Sequence, residues 1–212
     1  MISLDGVRNV LFDFGGVLFE IDYDLPAQAF ERLGFVHFND LYTQAAQNPM
    51  FDLLETGKIP NNQFIDYLHQ QVPLATKKQV EEAWNSILLR ILPDQVHVAS
   101  VLKQSGIRTF LLSNTNAIHV EEFERMIAST MDFEVFTQSF EKIYYSNVIG
   151  LKKPHPETFL AVCEWNGLVP AETLFIDDSK QHVEGALSAG LQAYHLQPHE
   201  RVSSLFDLAS IG

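Results

Sequence analysis

Five short segments of the chain are apolar on both of their alternating sides. Such segments are typical of strands in a parallel sheet that helices cover on both faces. Stretches of helical length separate the last four segments, as in a sheet built from repeated strand and helix units. We therefore predict an α/β fold with a doubly wound, Rossmann-like parallel sheet whose strands lie at Asn9–Phe14, Arg108–Ser113, Lys142–Ser146, Thr173–Asp177 and Gln192–Leu196.

Four stretches with helix signals lie between these strands. Proline or a hydroxyl residue opens each helical stretch, and a glycine ends most of them. These predicted helices span 93–106, 115–129, 154–167 and 179–190. About ninety residues separate the first strand from the second, however, and they carry helical periodicity at 25–33, 61–71 and 76–90. We expect a core of residues 1–18 and 93–212, with an inserted helical segment at 19–92.

Composition and charge limit the class of partner. The chain has 212 residues, of which 46% are hydrophobic and 19% charged, so it can bury a sizeable core. The 14 Lys and Arg residues against 27 Asp and Glu residues give a net charge of -13. This charge repels polyanions, and we expect neither nucleic acid nor membrane as a partner. An anionic substrate would require a locally positive pocket.

The chain shows no sign of membrane insertion or export. Its longest aliphatic or aromatic run, Phe159–Cys163, has five residues, whereas a membrane span requires about 18. Asp5, Asp13 and Glu20 interrupt the N-terminal region where a signal peptide is basic and then apolar. Cys163 is the single cysteine, which rules out an internal disulfide. We expect a cytoplasmic protein.

Polar residues stand at the ends of three predicted strands. Asp13, the pair Ser113 and Asn114, and the pair Asp177 and Asp178 each follow an apolar run. Open α/β sheets bind ligands in the crevice beyond the carboxyl ends of their strands. We therefore expect these side chains to meet at one ligand site.

Four sequence strings carry a family resemblance. NVLFDFGGVL, LLSNTN, GLKKPHPETF and LFIDDSKQHVEGA occur in that order. Together they resemble the haloacid dehalogenase superfamily of aspartate-nucleophile phosphohydrolases, over essentially the whole chain. The greatest similarity is to the branch with a helical cap inserted after the first motif, which includes bacterial glucose-1-phosphate phosphatases. The resemblance implies that residues 19–92 form this cap.

The resemblance also implies a role for each motif residue. Asp13 would be the nucleophile that forms an aspartyl-phosphate. Ser113 and Asn114 would donate hydrogen bonds to the phosphoryl group, and Lys153 would offset its charge. Lys152 is expected to be a solvated neighbour. Magnesium would be held by Asp13, the Gly15 backbone carbonyl and Asp178, with Asp177 acting through water or another ligand.

A cation at the strand ends is also expected on physical grounds. Asp177 and Asp178 are adjacent carboxylates at the end of an apolar strand, and they repel one another unless a cation lies between them. A carboxylate that caps a helix would account for one member of the pair but not for both. The pair therefore favours Mg²⁺ as a cofactor.

Gly15 is the main departure from the family pattern, in which this position is usually a second aspartate that acts as general acid and base. Glycine cannot transfer a proton, and such help is worth roughly a hundred to ten-thousand fold in rate. His182 also replaces a common asparagine. The candidates for a substitute acid, which the sequence does not rank, are Glu20, Asp22, Asp24, His119 and His182.

Three functions remain open. The first is a magnesium-dependent phosphatase for small phosphorylated metabolites, with sugar phosphates foremost; the second is a haloacid dehalogenase; the third is a catalytically weak protein that binds a phosphorylated ligand. Aromatic residues of the cap would line a pocket or, as is more common, form its core. These residues are Tyr42, Phe51, Tyr67 and Trp84. His195 and His199 are expected to be surface residues. The oligomeric state stays open.

Overall fold

The computed structural model describes residues 2–42 and 48–207. Residues 1, 43–47 and 208–212 of the predicted core and cap lie outside the described residues. In chain order the elements are β1 (Asn9–Phe12), β2 (Phe19–Ile21), α1 (Asp24–Arg32), α2 (Pro49–Glu55), α3 (Asn61–His69), α4 (Lys77–Asn85), β3 (Leu88–Ile91), α5 (Pro93–Gln104), β4 (Arg108–Ser113), α6 (Ala117–Thr130), α7 (Phe133–Gln138), β5 (Lys142–Tyr145), α8 (Ser146–Ile149), α9 (Pro156–Asn166), β6 (Thr173–Asp177), α10 (Lys180–Ser188), β7 (Gln192–His195) and α11 (Val202–Leu205).

The main sheet has five parallel strands in the order β5-β4-β1-β6-β7. All five predicted strands are confirmed, and so is the doubly wound α/β fold class. The chain moves outward from β1 to β4 and β5, and then crosses back to β6 and β7. The order of the strands thus reverses at β1, where a crevice opens at the carboxyl ends.

Hydrophobic clusters cover both faces of this sheet. Val10 and Phe12 of β1 belong to one cluster, while Leu11 belongs to the other, which includes residues of α9 and α10. All three side chains are fully buried. Burial on both faces is why the strands lack polar alternation, the property from which they were predicted.

The inserted segment differs from the prediction in two respects. The expected helix at 76–90 ends at Asn85, and the chain continues into β3, which pairs with β2 as an antiparallel ribbon. Strands β2 and β3 are partly exposed, so they lack the apolar character on both sides from which the sheet strands were predicted. Helix α2 was also not predicted, although Asn48 caps it and Pro49 opens it.

A third hydrophobic cluster lies mostly within the inserted segment and includes Ile118 of α6. It is rich in aromatic rings, among them the fully buried Phe30, Phe38, Phe51, Phe64 and Trp84. Because this cluster is separate from those on the sheet, we propose that residues 19–92 form a helical cap over a Rossmann-like core of residues 1–18 and 93–212. None of the helices in the described ranges has the length and apolar character needed to cross a membrane.

Candidate active site

Three neighbouring strands bring polar side chains to one edge of the sheet. Asp13 follows β1 directly, and its backbone N–H donates to the carbonyl oxygen of Ile176 on β6 at 2.9 Å. Ser113 is the last residue of β4, and Asp177 is the last residue of β6. These groups lie where the strand order reverses, the usual place for a ligand in an open α/β sheet.

The structure brings three of the sequence-predicted metal ligands together. One carboxylate oxygen each from Asp13, Asp177 and Asp178 lies within 4.8 Å of the other two. Burial and repulsion from the neighbouring carboxylates raise the pKa of Asp178 to about 8 and the pKa of Asp13 to about 6. Both shifts reflect negative charge in the cluster that is not fully balanced, and a cation would offset it.

The residues present fit a magnesium ion. The donor set consists of carboxylate oxygens, and Gly15 lines the same cavity with its backbone; hard cations such as Mg²⁺ prefer oxygen ligands. Gly16 leaves room for this arrangement, since a Cβ there would lie 2.3 Å from Oδ2 of Asp178. Its φ of +78° is also a conformation that favours glycine. Residue 16 therefore lets Asp178 approach the turn after β1.

Lys153 joins two of the carboxylates. Its Nζ donates to Oδ1 of Asp13 and, at 2.8 Å, to Oδ2 of Asp177. The lysine is 1% exposed, and burial by itself would lower its pKa, but the two carboxylates outweigh this effect and raise it. Lys153 is therefore a protonated, buried counter-charge inside the cluster.

The backbone of Lys153 is held by Asn114. The Asn114 side chain accepts from the Lys153 N–H at 2.9 Å and donates to the Lys153 carbonyl oxygen at 2.8 Å. On the other side Gly185 of α10 approaches closely, because a Cβ there would lie 2.0 Å from the carbonyl oxygen of Pro154. The side-chain amide of Asn114 thus positions Lys153. This leaves the backbone N–H of Asn114 for any contact with a ligand.

Asp177 is engaged by groups of the protein itself. Besides Lys153, it accepts a hydrogen bond from the backbone N–H of Ser179 at 2.7 Å, and Nδ1 of His182 lies 3.0 Å from its Oδ2. Burial alone would raise the pKa of Asp177, but Lys153 and His182 hold it at about 2. Its charge is therefore balanced without a metal, in contrast to that of Asp178.

His195 supports the loop that carries Asp178. Its Nε2 donates to the Asp178 carbonyl oxygen at 3.0 Å, and its Nδ1 lies 3.1 Å from the side-chain nitrogen of Gln197. The expectation of a surface residue is wrong for His195, which is half-buried, whereas His199 is exposed as expected. No sequence signal pointed to this role, because a strand-end histidine contacts a neighbouring strand only once the sheet has formed.

A partly open cavity of about 90 Å³ lies over the strand ends. One ordered water needs roughly 10–15 Å³, so the space suits a small ligand rather than a polymer. Ser113 faces this cavity with a hydroxyl whose hydrogen bond, to the Asn114 carbonyl oxygen, is long at 3.5 Å. The lining residues are Asp13, Phe14, Gly15, Phe19, Ile21, Tyr23, Tyr42, Glu55, Ile87, Leu88, Ser113, Asn114, Thr115, His119, Phe123, Asp178 and His182.

Two of the five candidate acids line the cavity, His119 and His182. Glu20 instead pairs with Arg90, and Asp22 accepts from the backbone N–H of Asp24. Those three carboxylates are absent from the described lining of the cavity.

His119 is unsuited to proton transfer in spite of its position. It stacks on Trp84, its Nδ1 contacts the side-chain nitrogen of Asn116, and its Nε2 lies 3.3 Å from the Trp84 carbonyl oxygen. Both ring nitrogens are thus engaged, and burial lowers the pKa of His119 to about 4. His182 remains the candidate that both lines the cavity and contacts a carboxylate.

Lys152 is buried, which contradicts the expectation of a solvated residue. Its side chain is 13% exposed, and its Nζ lies 2.7 Å from Oε2 of Glu55 and 3.1 Å from Oδ1 of Asp52. Both acids belong to α2 of the inserted segment. Sequence reasoning missed Glu55 as a lining residue because this pairing spans nearly a hundred positions of the chain.

The aromatic residues of the inserted segment divide between core and cavity. Phe51 and Trp84 are fully buried in the aromatic cluster, and Tyr67 packs against it. Tyr42 is also buried but lines the cavity, as does Tyr23, which was not singled out from the sequence. All four predicted aromatics therefore belong to this core cluster or pack against it, and Tyr42 lines the cavity as well.

Ile21 fills the space beside Gly15, and this contact leads to a testable prediction. A Cβ on residue 15 would lie 2.9 Å from Cδ1 of Ile21. We expect Gly15→Asp to lower the free energy of unfolding by about 1–3 kcal/mol through this overlap. Adding Ile21→Val, which removes Cδ1, should restore most of the loss.

Urea unfolding of the two single variants and the double variant measures this coupling. Gly15→Ala is the matched control, since it introduces the same Cβ without the carboxylate. Strictly additive effects of residues 15 and 21 would show that the overlap does not determine the cost.

The fold and the carboxylate cluster define an α/β protein of the doubly wound class with a candidate metal site at the strand ends. The family model of haloacid dehalogenase-like hydrolases matches residues 7–190, and the chain belongs to this family. The resemblance found in the four sequence strings is thereby confirmed.

Relatives and solved structures agree with this assignment. A D-ribitol-5-phosphate phosphatase from Bacteroides thetaiotaomicron is 28% identical over 193 residues, which cover 89% of this chain and 91% of that protein. A phosphorylated carbohydrates phosphatase from Thermotoga maritima is 27% identical over 190 residues, covering 88% and 83%. The structure of a HAD family enzyme from Bacteroides thetaiotaomicron, an aspartate-to-alanine mutant in complex with magnesium and inorganic phosphate, matches with a TM-score of 0.85 and 30% identity, covering 94% of this chain and 98% of that one.

Proposed function

We propose that this hydrolase is a magnesium-dependent phosphatase that cleaves small phosphorylated metabolites, sugar phosphates foremost, through an aspartyl-phosphate on Asp13. The observation that carries the proposal is the position of Asp13 in the cavity, with Lys153 on one side and the carboxylate of Asp178 on the other. Relatives named for the hydrolysis of ribitol phosphate and of phosphorylated carbohydrates support the substrate class.

In the proposed reaction an oxygen of Asp13 attacks phosphorus in line with the leaving oxygen. The bond between phosphorus and the leaving oxygen breaks, and the alcohol departs. Water then attacks the acyl phosphate, which releases inorganic phosphate and regenerates the carboxylate. Lys153 offsets the negative charge of the phosphoryl group, and the Ser113 hydroxyl and the Asn114 backbone N–H donate to its oxygens.

Magnesium would be held by Asp13, Asp178 and the Gly15 carbonyl, and would neutralise phosphoryl charge when bound. Asp177 would act indirectly, since Lys153, His182 and Ser179 already engage its carboxylate. For the departing alcohol we propose His182 as the proton source, because it is the remaining candidate that lines the cavity.

The function is tested by phosphate release from a panel of sugar and polyol phosphates, with Mg²⁺ and with EDTA. We expect hydrolysis that depends on Mg²⁺. A chlorinated carboxylic acid serves as the comparison substrate, because a dehalogenase would release halide from it without metal. Halide release, or phosphate release that persists in EDTA, would contradict the proposal.

The assignment of the metal ligands gives a separate prediction. We expect Asp178→Ala to weaken Mg²⁺ binding more than about 100-fold. Of the three clustered carboxylates, that of Asp178 is the one for which the described residues provide no ion pair. Asp177→Asn should cost about tenfold, the usual effect of a group that supports a ligand without touching the metal. Calorimetric titration of the metal-free variants with Mg²⁺ measures both values. Equal losses of Mg²⁺ affinity in the two variants would contradict the assignment of Asp178 as a direct ligand and Asp177 as an indirect one.

A further inference from the structure

Glu55 is a carboxylate of the inserted segment that lines the cavity. It ends α2 and is 6% exposed. Burying a carboxylate is costly unless it is paired, and Lys152 supplies this pairing at 2.7 Å from Oε2. The contact to Lys152 fixes Glu55 against the loop that also carries Lys153. Neither the reaction nor the metal site described above uses this carboxylate.

The charged residues that line the cavity are mostly acidic. Among the lining residues that the structure describes, three carry carboxylates, namely Asp13, Glu55 and Asp178, and none is a lysine or arginine. Lys153 and Mg²⁺ would serve the phosphoryl group in the proposed reaction. A second anionic group on the substrate would therefore enter a space without a cationic side chain and with Glu55 on its wall. Like charges in such a setting disfavour binding strongly.

Uncharged hydroxyl groups suit the same wall. A carboxylate accepts hydrogen bonds from O–H donors, and tyrosine hydroxyls both donate and accept. Tyr23 and Tyr42 line the cavity, and burial is the main cause that raises the pKa of both phenols, with Glu55 as a smaller cause that acts on both. Both hydroxyls therefore keep their protons. The lining by Ile87 and Leu88 adds apolar surface for carbon chains.

We infer that Glu55 determines substrate specificity: the cavity accepts phosphate monoesters whose remaining part is hydroxylated and uncharged, and it rejects those that carry a second anionic group. This inference rests on the proposed phosphatase function and narrows its substrate class. Glu55 would thus repel the esters with a second anionic group, besides binding the hydroxylated ones. Specificity between similar ligands often depends on such a repulsive group.

The test compares two small esters of nearly equal size, glycerol phosphate and phosphoglycerate, which differ by a hydroxymethyl group in place of a carboxylate. Each is used as an inhibitor of p-nitrophenyl phosphate hydrolysis in the presence of Mg²⁺. We expect the wild type to bind glycerol phosphate at least about tenfold more tightly, and Glu55→Gln to lower this ratio about tenfold.

Asp52→Asn is the matched control, because Asp52 also contacts Lys152 but is not among the described lining residues. It should keep the wild-type ratio, and Glu55→Asp, which retains the charge, should keep the preference for glycerol phosphate. The wild-type ratio keeps the inference falsifiable even if Glu55→Gln fails to fold.

Three results would overturn the inference. These are a wild type that prefers phosphoglycerate, a ratio unchanged by Glu55→Gln, and an equal change in Asp52→Asn, which would point to docking of α2 rather than to charge in the cavity. If the wild type hydrolyses neither p-nitrophenyl phosphate nor any ester of the sugar and polyol phosphate panel, the proposed function fails, and this inference fails with it. Hydrolysis with an unchanged ratio overturns the inference alone.

Discussion

Asp13→Asn is expected to lower phosphate release by at least about 10⁴-fold, because an amide oxygen cannot replace the attacking carboxylate. The fold should remain intact. Burial and the neighbouring carboxylates already raise the pKa of Asp13 to about 6, so its charge destabilises the folded protein at pH 7. Lys153 keeps Asp177 as a partner in the variant. We therefore expect the free energy of unfolding to stay equal or to rise slightly.

Single-turnover phosphate release and urea unfolding without Mg²⁺ measure the two effects of Asp13→Asn. Asp24→Asn is a suitable control, since Asp24 is exposed at the start of α1 and contacts the side chain of Asp22 through its backbone. It should behave like the wild type. A rate for Asp13→Asn above about 1% of the wild-type rate would contradict the proposed nucleophile.

Lys153→Met should reduce both stability and activity. It removes the buried ammonium that contacts Asp13 and Asp177 while keeping the length of the side chain. Leaving buried carboxylates without a counter-charge costs about 3–5 kcal/mol. Without Lys153, which lowers the pKa of Asp13, that carboxyl would also hold its proton at higher pH. The rate should therefore fall at neutral pH and recover in part as the pH rises.

Urea unfolding and a pH profile of the rate test this prediction. Lys180→Met is the control for the loss of a lysine, because Lys180 is exposed and pairs with Glu184 within the same helix. Its effect on the free energy of unfolding should stay within about 0.5 kcal/mol. The prediction fails if Lys153→Met matches this control and leaves the pH profile unchanged.

The sheet and the strand-end side chains could be predicted from the sequence because both depend on local patterns. A run that is apolar on both sides marks a covered parallel strand, and a polar residue at its end points into the crevice. Asp13, Ser113 and Asp177 were found in this way. Lys153 required the family resemblance, since one lysine before a proline carries no signal of burial.

The features that the sequence did not predict depend on pairing between distant segments. The sequence pattern around Lys152 is typical of a surface lysine. Its burial depends on α2, which places Asp52 and Glu55 against it. The role of Ile21 depends on its contact with Gly15, and the role of His195 depends on its contact with the carbonyl oxygen of Asp178. Periodicity describes one segment at a time, so it contains no information on which segments meet.

The antiparallel ribbon of β2 and β3 has a consequence for how this protein can diversify. The chain leaves this ribbon at Ile21 and returns to it at Leu88, and these two residues are paired neighbours. The cost of closing a loop between fixed ends grows only with the logarithm of its length. Residues 22–87 are therefore exchangeable for a different insert without rebuilding the sheet. With a two-residue hairpin turn in their place, the carboxylates would face open solvent, and phosphate groups on large molecules could then reach them.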